Sequence, residues 1–435
     1  MDAARTPHRR RHPRSQRGVA LIIAVVGIAL LTVVATEFAY NSRVDLEMAA
    51  NSRDEVRAHY LARSGVGLSR LLLSFQKQVN AIPIPAGLGG ALGGGAGGGN
   101  LNLQLWKMAR VDCYMLRGLE PEGAGGRRDD EEPARPTGGE LSLEGGEEGA
   151  GPARSFGSFE GCFLATLQDE DQKLNLNRLD AGASKEAAAL RGLAALFGDK
   201  RFEFLWQRPD ARGNRVQPTD AIAALRDWVD LDETGTTINP NAIGGQSPFV
   251  AGFSDENGEY QRQEPRYHAK NARFDSLDEL YRVHGVDDRF MAAFRDRLTV
   301  YADPNNELDI NSDDPLVLWT AVLMSLTPQS LADPRLQNPA FQQELIQTIK
   351  AARMFSFMAM PYQTFAAMLA AAGLQTDPVA TQQRQQAQAQ SQNAARTFTI
   401  KSVGEAGSVQ KTITTVVRIG QQDGPLGRLV YWREE

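Results

Sequence analysis

Residues 19–36 read VALIIAVVGIALLTVVAT, from Val19 to Thr36 without a charge, and Glu37 closes the run. An apolar stretch of this length is just enough to cross the hydrocarbon core of a bilayer as a helix rising about 1.5 Å per residue. Upstream, residues 1–18 hold six arginines and a single acid, Asp2. A basic flank stays on the cytoplasmic side, so the chain beyond Thr36 is expected across the membrane. A cleaved secretory signal would end in a small-x-small site followed by mature protein. Here the helical pattern continues instead. Glu37 to Gln78 has no proline, only Gly65 and Gly67 as glycines, and Val56, Tyr60, Leu68, Leu71 and Phe75 at mostly helical spacing. The first firm stop is Ile82-Pro83-Ile84-Pro85. One helix over 19–80, roughly 90 Å long, is predicted.

The full length of 435 residues accommodates two or three domains. A hydrophobic share of 42% and a charged share of 23% are ordinary for globular protein. The net charge of −6 argues against a duplex nucleic-acid binder, which presents a basic face. The two cysteines, Cys113 and Cys162, either pair in an oxidising compartment or stand as two separate buried thiols.

Residues 86–100 are almost entirely Gly, Ala and Leu, the composition of a flexible linker. Leu101 to Leu116 alternates in places, as a strand does. Residues 119–157 are rich in Gly, Pro and acids and read as a disordered insertion. Gly161 to Leu167 reads as a second strand, which places each cysteine in a strand and makes a cross-strand or loop-closing bond conceivable. Helical segments are expected at Lys185–Phe197, Asp220–Val229, Ser276–His284, Asp287–Val300, Pro315–Leu326 and Pro339–Ala372. A Gln/Ala tract, 377–395, leads to three β-rich runs, Thr397–Val403, Gln410–Ile419 and Arg428–Trp432, separated by Gly-containing turns. A faint repeat pairs Leu174-Asn175-Leu176-Asn177 with Leu308-Asp309-Ile310-Asn311.

The string Gln16-Arg17-Gly18-Val19-Ala20-Leu21-Ile22 resembles the type IV pilin-like leader. The resemblance implies cleavage by prepilin peptidase between Gly18 and Val19, which would remove six arginines and leave the apolar helix in place. Pilins and pseudopilins mostly carry Glu at the fifth mature position; this chain has Ile23. A carboxylate in lipid is costly unless paired, and a subunit at a filament tip has no neighbour to pair it. Loss of that Glu, large size, and the stretch Arg43 to Leu73 resemble the K-type minor pseudopilins of type II secretion systems.

The resemblance implies an α+β, pilin-like fold: a long N-terminal helix packed on an antiparallel sheet, with a large inserted α-helical, SAM-like domain. The expected organisation is a cleaved leader (1–18), the pilin helix (19–80) and a first pilin part with its low-complexity insertions (81–180). The helical insertion (181–376), the Gln/Ala linker (377–395) and the closing strands (396–435) follow. It further implies a single-pass protein of the bacterial inner membrane with a periplasmic domain, at the tip of the pseudopilus. Its partners would be the I- and J-type minor pseudopilins, the major pseudopilin, prepilin peptidase and inner-membrane lipid, with no nucleic acid.

Asp227-Trp228-Val229-Asp230-Leu231-Asp232, followed by Gly258-Glu259-Tyr260, Tyr267 and Asn271, resembles that family's DWxDxD…GAE…Y…N pattern. Carboxylates at alternate positions in a turn suit Ca2+, which takes six to eight oxygen ligands. The resemblance makes Asp230, Asp232 and Glu259 the expected ligands; spacing alone favours an acidic helix end and a solvated loop. Leu277 to Val286 is similar to a helix-hairpin-helix, the basis of an alternative reading as a competence-pilus component that contacts DNA. Its acidic surroundings, Asp275, Asp278, Glu279, Asp287 and Asp288, would repel phosphate. Enzyme chemistry finds no support: no G-x-S-x-G, H-E-x-x-H or phosphate loop is present, and the cysteines lack zinc spacing.

Overall fold

The computed structural model describes residues 16–82, 103–113, 161–209, 215–239, 242, 246–353, 358–378, 381–382, 384 and 395–435. Most of the expected leader, the Gly tract, the acidic insertion and most of the Gln/Ala tract lie outside the described residues. The expected α+β layout is found.

Helix α1 (Gln16–Asn80) runs 65 residues without a break. Its lower half is bare and apolar, and among the described residues it is the helix long and apolar enough to cross a membrane. Its upper half changes character. Ala58, Ala62, Gly65 and Ser69, four and three residues apart, share one helix face and are buried with Leu61, Val66 and Leu73. That face lies on a five-stranded antiparallel sheet ordered β1-β2-β7-β8-β9. The strands are β1 (Val111–Asp112), β2 (Cys162–Asp169), β7 (Arg396–Ala406), β8 (Val409–Ile419) and β9 (Arg428–Glu434). Small residues are needed because the helix comes close. A methyl group at Gly404 would overlap the backbone of Ala58 and Ala62, and one at Gly65 would overlap Ser402 and Phe163. Phe163, Phe398, Ile400, Ile413 and Val417 complete this core.

The α1 contacts follow the strands. Lys411 Nζ pairs with Glu55 at 2.7 Å, Arg70 Nε donates to the Leu426 carbonyl at 2.9 Å, and Lys77 Nζ donates to that of Gly420 at 2.8 Å. Asn80 ends the rod by exchanging two 3.0 Å hydrogen bonds with the Leu103 backbone. Cys113, just past β1, is joined in the structure to Cys162 at the head of β2, their Cα atoms 5.4 Å apart. Of the strand expected over 101–116, the described residues 103–113 hold β1, preceded by a short helix α2 (Leu105–Met108). The turn sets the Trp106 indole edge-on to Phe398 at 6.0 Å, a packing gain an extended run would forgo.

The chain leaves the sheet after Asp169 and re-enters it at Arg396, and a second core fills the interval. Its longer helices are α3 (Ala183–Phe197), α4 (Pro218–Val229), α5 (Asp288–Phe294), α6 (Pro315–Ser325), α7 (Pro339–Ala351) and α8 (Tyr362–Ala371). β3 (Leu174–Asn175) pairs in parallel with β6 (Leu298–Thr299). The helix expected over 339–372 is two helices, because Pro361 ahead of α8 cannot continue a preceding one. Residues 277–282 form a 3₁₀ turn, opened by a capping box between Ser276 and Glu279. The segment from 287 turns extended at β6, where Thr299 is β-branched. A hairpin of β4 (Thr234–Ile238) and β5 (Phe249–Asp255) was not expected.

The faint repeat has matching geometry. Asn175 Oδ1 accepts from Asn177 N, and Asp309 Oδ1 from Asn311 N, both at 2.9 Å. The second Asn of each then reaches across the chain. Asn177 bridges the Phe274 and Val300 carbonyls and the Phe274 amide, and Asn311 Oδ1 accepts from Met360 N at 2.7 Å.

Candidate metal centre

Helix α4 starts at Pro218 inside a capping box of Gln217 and Asp220, and buries one face through Ile222, Leu225, Trp228 and Val229. Trp228 stacks on Phe274 and meets Tyr260 edge-on, which fixes the end of the helix. Asp230 is its C-cap, so the chain turns there and throws Asp227, Asp230 and Asp232 toward the base of the β4–β5 hairpin. Thr236 N donates to Asp227 Oδ1 at 2.7 Å and Thr234 N to Asp232 Oδ1 at 2.8 Å. From the other strand, Asp255 caps a 3₁₀ turn whose first residue is Glu256. Asn271, held at φ 48°, donates from Nδ2 to the Asp232 carbonyl at 2.9 Å.

The charges in this corner are poorly matched. Arg226 Nε lies 3.4 Å from Asp230 Oδ2, but its Nη1 is committed to Asp180 at 2.8 Å. Asp230 is 4% exposed and Glu256 7%. Burial, against the pull of Arg226 and with the push of Asp227, Asp232 and Asp180, lifts the Asp230 carboxyl to about 7. Burial, then Asp230 and Asp227, lifts Glu256 to about 8, with Asn271 opposing. Burial also raises Asp227. Asp230 Oδ1, both Glu256 carboxylate oxygens and Asn271 Oδ1 are buried without a hydrogen-bond partner of good geometry. Orphaned buried oxygens of this kind cost free energy unless something positive meets them.

These are the donors a hard cation takes. Among the described residues no three side chains of His, Cys, Asp or Glu by themselves form a metal cage. The Asn271 amide oxygen, main-chain carbonyls and water would have to share the coordination shell. Of the expected ligands, the structure brings Asp230 and Asp232 together. It turns Glu259 toward Arg262, 2.5 Å away, and fills the corner with Glu256 and Asp227. Glu259 falls on the outer side of the turn that Glu256 opens. Asn257, whose side chain accepts from Ala269 N at 2.9 Å, holds the turn in which Glu256 is buried.

The other sequence candidates sit apart. Gly18, Val19 and Ile23 are on the bare end of α1, with nothing within 4 Å of a β-carbon placed on Gly18. Gly285, the turn of the hairpin-like segment, stands at a positive φ of 84°, and a β-carbon there would meet Val216.

No family model matches the chain. Over 182 residues it is 29% identical to a Klebsiella pneumoniae protein described as type II secretion system protein K. In sequence, that stretch is K-like. The match covers 41% of this chain and 47% of the relative, so the chain spans about half the length of the curated K protein it matches. A crystal structure of the GspK-GspI-GspJ complex of enterotoxigenic Escherichia coli is similar at 15% identity and a TM-score of 0.36, covering 66% of this chain and 84% of that one.

Proposed function

We propose that this chain is a minor pseudopilin of a type II secretion system, held in the bacterial inner membrane by α1 with its sheet and helical insertion in the periplasm. The observation that carries this reading is the single unbroken rod, apolar and bare below, buried by a sheet above. A plain signal anchor gains nothing from continuing into the folded core. The work is assembly, with no reaction catalysed by the chain. Ile23 in place of Glu and the bulk of the insertion favour the tip position. The partners are then the I- and J-type minor pseudopilins and the major pseudopilin, and prepilin peptidase cuts between Gly18 and Val19.

The acidic corner belongs to this reading as a Ca2+ site, with Asp227, Asp230, Asp232, Glu256 and Asn271 supplying side-chain oxygens. Calcium there would neutralise buried carboxylates and tie the end of α4 to the hairpin. The deciding experiment is the N-terminus of the protein recovered from membranes. A start at Val19 is expected. An intact Met1, or a start near residue 40, refutes the assignment.

A further inference from the structure

The chain crosses between sheet and helical insertion twice, and both crossings meet at one buried cluster. Arg396, the first residue of β7, donates from Nη2 to Asp169 Oδ2 at the end of β2 and, at 2.6 Å, to Asp309 Oδ2 from the insertion. Its Nε lies 3.9 Å from Asp171 Oδ2. Asp171 also accepts from Asn306 Nδ2 at 2.9 Å, and the same nitrogen donates to the Ala395 carbonyl. Asp309 N donates to the Asp171 carbonyl. Beside them, Glu170 is matched by Lys173 at 2.6 Å and by Thr399 at 2.7 Å.

Charge cannot balance in this arrangement. Asp169, Glu170, Asp171 and Asp309 face two cations, Arg396 and Lys173, and Lys173 is spent on Glu170. Three carboxylates therefore share one guanidinium where Asp169 and Asp171 are almost fully enclosed. Like charges at such range in low dielectric do not all stay ionised. Glu307, two residues before Asp309, is held by Arg178 at 2.8 Å and faces Arg384 at 3.9 Å, with Arg191 also acting on it.

We propose that this joint is a proton-operated clamp: it closes while one proton is held among Asp169, Asp171 and Asp309, and it loosens the insertion from the sheet when that proton leaves. The direction agrees with burial, which lifts Asp169 to about 8 and Asp171 to about 6 despite Arg396, while Arg396 and the Asn311 hydrogen bonds keep Asp309 low. Groups raised on closing stabilise the closed state at low pH and withdraw that stability as pH rises from their ordinary, open-state values to their closed-state values. Opening that releases one proton becomes about tenfold more populated per pH unit in that window.

The test is amide hydrogen exchange on the full chain in detergent, from pH 6 to 9, with the intrinsic pH dependence of exchange divided out. Segments 169–178 and 396–400 are expected to lose protection about tenfold per unit as pH rises toward 8 and to level off above it, while the β7–β8 ladder beyond 402 stays flat. Asp169→Asn, which mimics the protonated side chain, is expected to abolish the slope. Asp309→Asn removes one repelling charge and is expected to move the slope to lower pH, and it serves where Asp169→Asn does not fold. A flat wild-type profile, a slope retained in Asp169→Asn, or one unmoved in Asp309→Asn overturns the proposal.

Discussion

Replacing Gly404 by Ala is a small change with a large expected effect. The new methyl would stand inside the van der Waals envelope of the Ala58 carbonyl and the Ala62 amide. Neither side can yield locally. β7 is a central strand, paired to β2 over eight residues and to β8 over eleven. The Ala58 and Ala62 backbone atoms belong to a continuous helix. Relief requires α1 and the sheet to separate by something on the order of 1 Å along the stripe from Ala58 to Ser69, thinning contacts to Phe163, Ile400 and Val417 as well. Overpacking of a dense core costs about 1–3 kcal/mol, and the rigidity here places the loss near 3 kcal/mol. Gly67→Ala is the control. It lies on the same helix with nothing within 4 Å of its β-carbon, and should gain about 0.5–1 kcal/mol from helix propensity alone. The assay is thermal unfolding of the full chain in detergent, followed by near-UV circular dichroism. If Gly404→Ala melts with the wild type, the close approach of helix and sheet does not exist as described.

Changing both cysteines to Ala opens a covalent loop of sequence separation 49, for which chain entropy predicts about 4 kcal/mol at 25 °C; urea titration of oxidised wild type against the double variant measures it. Ca2+ at a hundred times its dissociation constant should stabilise the chain by about 2.7 kcal/mol. That shift should vanish in Glu256→Gln and Asp230→Asn and persist in Glu259→Gln, a pattern that thermal melts with and without chelator will show. Asn177→Ala strands two buried carbonyls and an amide that the side chain now satisfies, and should cost about 3 kcal/mol or more in chemical denaturation.

The rod and the late sheet were legible because their signals are local. A proline-free run of helical spacing and three β-rich stretches divided by glycines need no partner to be read. The Asn repeat was visible as a pattern, but its use was not, since Phe274, Val300 and Met360 lie far away in sequence. The hairpin of β4 and β5 was missed because Thr234–Ile238 is short and follows directly on the acidic turn, so its polar residues read as loop. The motif spacing points to Glu259, beside Gly258, whereas the fold buries Glu256 in the corner. Which of two glutamates three apart turns inward depends on a 3₁₀ turn fixed by the Asp255 cap and by the Asn257–Ala269 hydrogen bond, neither of which a motif match reveals. The joint at Arg396 was not legible either, for its three carboxylates come from segments more than 130 residues apart.

Because α1 lies lengthwise along its strands, with Glu55 near Lys411 and Lys77 near Gly420, a pull on the membrane end loads the whole seam at once. Force enters as sliding, not peeling. Every small side chain from Ala58 to Ser69, and both flanking tethers, must give way together before the head comes loose. A subunit drawn upward or held back by its anchor would thus transmit tension through its folded portion with little stretch, and the weakest element under load would be the bare helix itself, not the fold it carries.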